Sequence, residues 1–528
     1  MTQYTPEQSS VVLAIGGIDP AGFSGLQADI KALHSIGAHC YTVPTAMTAQ
    51  PAQAGEPAQV YPVSTEEFVA QLNACLSHER PSAIKVGLMP NQGLAIALKN
   101  WIGEHNLTEI PVVYDPVFAN TLNKSLLVDP PQVIVERLLP ITTLMTPNLL
   151  EAALWSEQIA TEDADLSKPE TFARQWRKAG AQQILVKGGH SDDSSSTDSN
   201  MVSDYFIGLG TGGPQAFWVS TPKLPLNQPC RGTGCSLASL IAGMMGFGYS
   251  AADAVVIAKQ RLQEALFAPL SFGEFLKPNF QAIKPATISS TEAAQIPLEK
   301  LPSVHFPSQP YHFNFPSCGD SPLGLYPVVD SAEWIERLLS LGVTTIQLRA
   351  KNLKGEALER EIQSAIAIAE RFNTRLFIND YWELAIKHGA YGVHLGYEDL
   401  QTADLHQLEK HQLRLGLSTH CHYELAHALS VKPSYVASGP VFHTNTKDMP
   451  WRPQGIDGVS YWRKLVDCPL VAIGGLNESH FKALCEAGAD GIAMITAITH
   501  AKDAEGTTQR FMDIIKSAVN ETYDQKTL

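Results

Sequence analysis

The sequence is short of paired cysteines, of positive charge and of long apolar runs, and each shortage removes a class of protein. Its 8 cysteines are scattered without a CxxC framework. They indicate neither a disulfide scaffold nor a structural zinc site, and reduced thiols in a cytoplasmic protein are the expectation. Against 53 Asp and Glu stand only 38 Lys and Arg, a formal net charge of −15. That argues against nonspecific nucleic-acid binding and leaves any anionic substrate dependent on local cations. Residues 1–10 carry no basic segment followed by an apolar one, so no secretory signal is expected. The uncharged run Cys235–Ala252 is rich in Gly and Ser and is followed by Asp253, which reads as a buried helix and not a membrane span. No self-similar repeat links one half of the chain to the other, and the Ser/Asp cluster His190–Asn200 reads as a solvated loop. Composition leaves a homo-oligomer open.

What is present is a large α/β pattern. At 528 residues the chain exceeds one ordinary domain. From Leu323 onward, short apolar runs alternate with helical stretches eight times: Leu323–Asp330, Thr345–Arg349, Leu376–Asp380, Gly392–Gly396, Leu413–Ser418, Tyr435–Gly439, Leu470–Gly475 and Gly491–Thr496. Eight such runs fit a (β/α)8 TIM barrel, whose chemistry lies where its strands end. The first half offers Val11–Gly17, Val43–Thr48, Ala83–Leu88, Val112–Asp115, Thr143–Thr146 and Ile184–Gly188 as strands, with Asp204–Gly208 and Ala216–Ser220 as an added hairpin. This predicts an open, mostly parallel sheet in a three-layer α/β/α domain. Seven prolines between Pro278 and Pro316 predict an irregular linker over 281–320, between domains 1–280 and 321–528.

In the first half, Arg231–Gly232–Thr233–Gly234–Cys235 precedes the long apolar run. A helix N-terminus with permissive glycines presents backbone N–H groups to phosphoryl oxygens. The same dipole is expected to favour the Cys235 thiolate. Asn148 and Glu151, three residues apart after a strand, form an N-capping pair, and the carboxylate also suits a magnesium-bound water. With Gln27–Lys31, Thr45–Gln50, Lys85–Gly87 and Lys187–His190, these motifs resemble the ribokinase-like hydroxymethylpyrimidine and phosphomethylpyrimidine kinases. The cysteine of Gly232–Cys235 is the discriminating match, because most ribokinase-like enzymes have aspartate there.

The resemblance implies Cys235 as the base, with Gly232 and Gly234 shaping the anion site. It implies Lys187, Asn148, Glu151 and Thr233 toward Mg2+ and ATP, the co-substrate, and Gly17, Asp29 and Gln50 at the pyrimidine. Gln50 suits an aminopyrimidine edge because an amide donates and accepts at once. Two loops depart from the family: Ala21–Gly25 carries Phe23 where a small residue is usual, and Phe118–Leu122 replaces an Ala-Lys-Ser-Gly loop.

In the second half, Gln347, Arg349 and Lys351 alternate along one side of a strand end, a cationic pair beside an amide that suits a diphosphate. Asp380 and Asp399 follow the third and fourth strands and suit a hard cation, or serve as helix caps. These residues, with Gly324–Asp330, Phe377–Asp380, Ser418–His420, Thr444–Lys447 and Ala472–Gly475, resemble thiamine-phosphate synthase over Leu323–Ile498. The resemblance implies Gln347, Arg349, Lys351, Asn379 and Lys447 at a pyrimidine diphosphate, and Asp380 and Asp399 at magnesium. It implies Ser418 at the pyrimidine, and Thr444, Thr446, Gly475 and Thr496 at a thiazole phosphate.

The implied protein is a bifunctional thiamine-biosynthesis enzyme acting on small molecules and not on nucleic acid or membrane. A kinase half specific for a pyridoxal-like alcohol, or a pyrimidine-binding half without catalysis, remain alternatives for the first domain. A thiazole tautomerase is the alternative for the barrel.

Overall fold

The computed structural model of the chain describes residues 10–50, 58–119, 125–156, 168–188, 200–210, 213–272, 275–280, 300–307, 313–444, 451 and 453–526. The expected loop over 190–199, and Asn445, Thr446 and Lys447, lie outside the described residues. Two compact units emerge, Met1–Ser290 with Ile296–Gln309, and Pro310–Leu528 with Thr291–Gln295.

The first unit is built on a ten-stranded sheet. Its strands are β1 (Val11–Ile18), β2 (His39–Ala49), β3 (Gln59–Pro62), β4 (Ala83–Val86), β5 (Val112–Tyr114), β6 (Leu144–Met145), β7 (Ile184–Val186), β8 (Met201–Gly210) and β9 (Gly213–Pro222). A separate two-stranded ribbon comprises β10 (Leu270–Phe272) and β11 (Phe275–Lys277), and the tenth strand of the main sheet is β12 (Ser303–His305). The order is β12-β9-β8-β7-β6-β5-β4-β1-β2-β3. From β2 to β7 all pairings are parallel, and β1, β4, β5, β6 and β7 are buried almost throughout, as parallel strands covered on both faces are. The loops after β1, β4, β5, β6 and β7 therefore open on one sheet edge.

Three expectations change. Gln59–Pro62 adds an antiparallel edge strand that its mixed, largely exposed residues did not signal. The run Cys235–Ala252 is not one helix: the first helix covers Thr233–Gly246, Gly248 takes a left-handed φ of 89°, and a second helix starts at Ala251, capped by Ser250. The linker reading fails in part, since Ser303–His305 pairs antiparallel with β9 and Phe313, Phe315 and Cys318 are buried within the second unit. Prolines bar a central strand but tolerate an edge strand flanked by them, which is what β12 is.

The second unit is a closed, all-parallel barrel of β13 (Gly324–Val329), β14 (Thr345–Leu348), β15 (Arg375–Asn379), β16 (Gly392–Leu395), β17 (Arg414–Thr419), β18 (Tyr435–Ser438), β19 (Leu470–Ile473) and β20 (Gly491–Met494). The last strand pairs with the first through Gly324↔Gly491 to Pro327↔Met494. Tyr326, Phe377, Tyr435, Val471 and Ala493 fill the interior, with Cys318 and Leu323 in the same cluster. The larger aliphatic and phenyl side chains among them, such as Phe377, Leu323 and Val471, each contribute roughly 1.5–3 kcal/mol by leaving water. Among the described residues no helix is long and apolar enough to cross a membrane.

Candidate active sites

In the first unit the sheet edge opens on a cavity of about 1160 Å³. Gly17, Gln50, Asn148, Glu151, Lys187 and Cys235 all line it, as do Gly232, Thr233 and Gly234. The helix Thr233–Gly246 starts there because Gly232 takes a left-handed φ of 79°. A β-carbon at Gly232 would lie 1.9 Å from the Phe23 carbonyl oxygen, so only glycine fits. Gly234 leaves room for a cation: a β-carbon there would stand 3.1 Å from Lys187 Nζ. Lys187 Nζ is 2.6 Å from Asp115 Oδ1, which also accepts from Thr146 Oγ1 at 3.2 Å. Burial works against its charge, yet Asp115 and Glu151 together hold the Lys187 ammonium above its ordinary value.

Asn148 and Glu151 form the reciprocal capping pair that their spacing allowed. The Asn148 N–H donates to Glu151 Oε2 at 2.8 Å, and the Glu151 N–H donates to Asn148 Oδ1 at 2.8 Å. Burial pushes the Glu151 carboxyl up to about 7; Lys187 opposes the shift and Asp115 adds to it.

Two expectations for this cavity are corrected. Asp29 does not line it: the residue is wholly buried, with its carboxylate taken by Lys85 Nζ at 2.9 and 3.0 Å and by Ser239 Oγ at 2.8 Å. Lys85, inside β4, faces the cavity instead. The Cys235 thiol is not depressed. Burial pushes it up to about 11, and the Lys85 ammonium and the Gly25 amide offset this only in part. At pH 7 only about one thiol in ten thousand is then ionised. Burial outweighs the helix dipole, and the charges of Asp115 and Asp29 raise the thiol further.

Sequence reasoning gave no role to Lys85 or Asp115. The signal was present, since a lysine within the fully buried strand Ala83–Val86 must be paired or functional.

In the barrel, Gln347 and Asn379 are buried at the ends of β14 and β15, and Arg349 is partly exposed just beyond β14. Lys351 Nζ lies 3.2 Å from Asp380 Oδ2. Asp380 adopts a left-handed φ of 66°, a conformation that Asp tolerates better than most residues and that bends the chain out of the strand. Burial raises the Asp399 carboxyl, and the neighbouring Asp380 raises it further. The raised Asp399 carboxyl beside Asp380 is an arrangement that a divalent cation would relieve. Among the described residues no group of three or more His, Cys, Asp or Glu could hold a metal.

Ser418 Oγ is 2.8 Å from His394 Nε2, and a buried chain continues inward. His394 Nδ1 meets the Tyr435 hydroxyl at 2.7 Å, Tyr435 meets Tyr326 at 2.7 Å, and Gln347 Nε2 donates to Tyr326 at 3.3 Å. Burial lowers His394 to about 4, so the ring is neutral. This chain joins two expected substrate residues, Gln347 and Ser418, through groups the sequence did not single out. His420 Nδ1 lies 2.7 Å from Glu424 Oε2, with the Trp451 ring stacked 4.0 Å away.

Across the mouth, Gly475 has a φ of 66° and packs so closely on the segment before Thr444 that a β-carbon would lie 2.5 Å from the His443 carbonyl oxygen. Thr496 is exposed at the start of a short helix after β20.

Residues 19–279 match the phosphomethylpyrimidine kinase family and residues 325–498 the thiamine monophosphate synthase family. A thiamine-phosphate synthase of Serratia proteamaculans is 53% identical over 195 residues, covering 37% of this chain and 92% of that protein. Among solved structures, a phosphomethylpyrimidine kinase from Clostridium difficile 630 is 25% identical, with a TM-score of 0.39 and coverage of 49% of this chain and 100% of that one. A Bacillus subtilis pyridoxal kinase, solved as an ADP complex, is 22% identical, with a TM-score of 0.44 and coverage of 52% and 98%.

Proposed function

Since this chain belongs to the thiamine monophosphate synthase family through its barrel and carries a phosphomethylpyrimidine kinase domain through its open sheet, we infer that it is a bifunctional enzyme of thiamine biosynthesis, a kinase and a transferase in one polypeptide. The two family memberships carry this reading. The first unit phosphorylates 4-amino-5-hydroxymethyl-2-methylpyrimidine and then its monophosphate with ATP. The barrel joins the resulting diphosphate to thiazole phosphate, releasing diphosphate and thiamine phosphate. The product of one unit is the substrate of the other. The reaction belongs in the cytoplasm and needs no nucleic acid.

In the kinase unit the amides from Gly232 to Cys235 and the Lys187 ammonium receive the transferred phosphoryl group, where developing negative charge meets fixed positive dipoles. Thr233 contributes at the same helix start. The substrate hydroxyl attacks the terminal phosphorus of ATP, and its proton passes to Cys235 Sγ. Because the resting thiol is neutral, it first releases its proton to solvent, and the Lys85 ammonium and cations gathered by the nucleotide favour the thiolate that then takes the hydroxyl proton. Asn148 and Glu151 would hold magnesium through water, which would neutralise the nucleotide phosphates. Gly17 and Gln50 face the pyrimidine.

In the barrel, Arg349, Lys351, Gln347, Asn379 and Lys447 hold the pyrimidine diphosphate. Asp380 and Asp399 would hold magnesium, which would offset the charge of the leaving group. Diphosphate departs, the ring amine stabilises the methylene cation, and the thiazole nitrogen bonds to that carbon. Ser418 orients the pyrimidine; Thr444, Thr446, Gly475 and Thr496 orient the thiazole phosphate.

Steady-state kinase assays with hydroxymethylpyrimidine and with pyridoxal test the finer assignment. We expect turnover of the pyrimidine and its monophosphate and little of pyridoxal. Turnover of pyridoxal alone would overturn it.

A further inference from the structure

We propose that Arg231 is the positioning residue that fixes the Gln50 amide in one orientation and thereby restricts the kinase cavity to alcohols carrying an aminopyrimidine edge. This rests on the kinase reading above, and it assigns the bulky Phe23 a purpose. Arg231 lines the cavity yet is only 7% exposed. Its guanidinium carbon lies 5.3 Å from the centroid of the Phe23 ring and 5.2 Å from that of Phe275, with those two rings edge to face at 6.0 Å. Cation–π contact with both rings holds the guanidinium in place. Arg231 Nη2 donates to Gln50 Oε1 at 2.8 Å. The nearest carboxylate, Asp19, stands 4.0 Å away and is engaged by the Ala21 and Ser24 amides and the Ser24 hydroxyl. Arg231 Nε is buried without a partner among the described residues. An unpaired buried donor is destabilising, so this arginine is not explained by stability alone.

The consequence follows from valence. A guanidinium can only donate, so it can meet only the oxygen of the Gln50 amide. The nitrogen end must then point the other way, where Gln50 Nε2 donates to Thr48 Oγ1 at 3.0 Å. Of the four hydrogen-bonding positions on the amide, the protein uses one lone pair and one N–H. One lone pair and one N–H of the amide remain for a ligand. That pair complements a ring nitrogen beside an exocyclic amine: the amine donates to Oε1 and the ring nitrogen accepts from Nε2. A ring with the nitrogen but without the amine can satisfy only half of it.

The test is calorimetric binding to the full chain of 4-amino-5-hydroxymethyl-2-methylpyrimidine and of its analogue lacking the 4-amino group. For Arg231→Met, which keeps length and packing but removes the donor, the amide can flip. We expect roughly tenfold weaker binding of the aminopyrimidine, in line with loss of one charge-assisted hydrogen bond. The des-amino analogue should change by less than about twofold, so that discrimination between the two collapses. Phe23→Leu, a milder change that loosens the guanidinium, should move the same ratio in the same direction by less. Equal losses for both ligands, or an unchanged ratio in both variants, would overturn the role of Arg231. Failure of the wild-type chain to prefer the aminopyrimidine would overturn it as well. Binding with the expected discrimination but without turnover would instead overturn the kinase reading and leave the Arg231 assignment standing.

Discussion

Replacing Lys85 by Met tests how the kinase cavity sets the charge of its cysteine. Lys85 is buried against Asp29, with 1% and 0% exposure, at 2.9 Å. Removing one partner of such a pair leaves a carboxylate without compensation, which costs about 3–5 kcal/mol. Urea unfolding of the first unit should register that loss. The same ammonium is the main group that opposes the upward push of burial on the Cys235 thiol. Without it the thiol should rise beyond about 11. Asp29→Asn should act oppositely, since it deletes a negative neighbour and frees Lys85 toward Cys235. The initial rate of alkylation by an uncharged reagent near pH 8.5, corrected with Cys235→Ser for the other thiols, reads the thiolate fraction. That fraction falls about tenfold each time the thiol pKa rises by one. Lys85→Met should therefore react more slowly and Asp29→Asn faster than the parent chain. If both variants change the rate in the same direction, or if Lys85→Met loses less than about 1 kcal/mol, the buried pair does not act as described.

Gly232→Ala should abolish kinase turnover and spare the synthase, because its β-carbon collides with the Phe23 backbone at the helix start; paired assays on one preparation would show it. Asp380→Asn or Asp399→Asn should depress synthase turnover by roughly 10²-fold and raise the magnesium needed for half-maximal rate, as expected when one ligand of a sparse carboxylate set is lost; an unchanged magnesium dependence would count against the site. His394 gives a pH signature. Its folded value is lowered to about 4, so the unfolded chain binds the extra proton between about 6.5 and 4, and stability falls as pH falls through that window. The barrel should lose about 2 kcal/mol between pH 7 and 5 from this residue, a slope that His394→Gln should remove in urea titrations.

The barrel was legible in the sequence because its eight strands are continuous apolar runs with polar terminators, and a closed sheet leaves few alternatives for such a pattern. Lys351 and Asp380 meet just beyond strand ends for the same reason, and Gln347 and Asn379 are buried at the ends of β14 and β15. Strands such as Gln59–Pro62 and Ser303–His305 were not legible, since edge strands bury little and tolerate neighbouring prolines. Among site residues, Asn148 and Glu151 followed from local spacing. Asp29 and Cys235 did not, because their state is set first by burial and then by Lys85 and Asp115, brought from β4 and the end of β5 by tertiary packing. At Cys235 the helix dipole is a local contribution, and the burial of the thiol decides the sign.

The most direct measurement is a single incubation of the purified chain with hydroxymethylpyrimidine, thiazole phosphate, ATP and magnesium, followed for thiamine phosphate. Thiamine phosphate should form without added pyrimidine diphosphate. Formation only when premade pyrimidine diphosphate is supplied would contradict the account of the kinase unit, and no formation even then would contradict the account of the barrel.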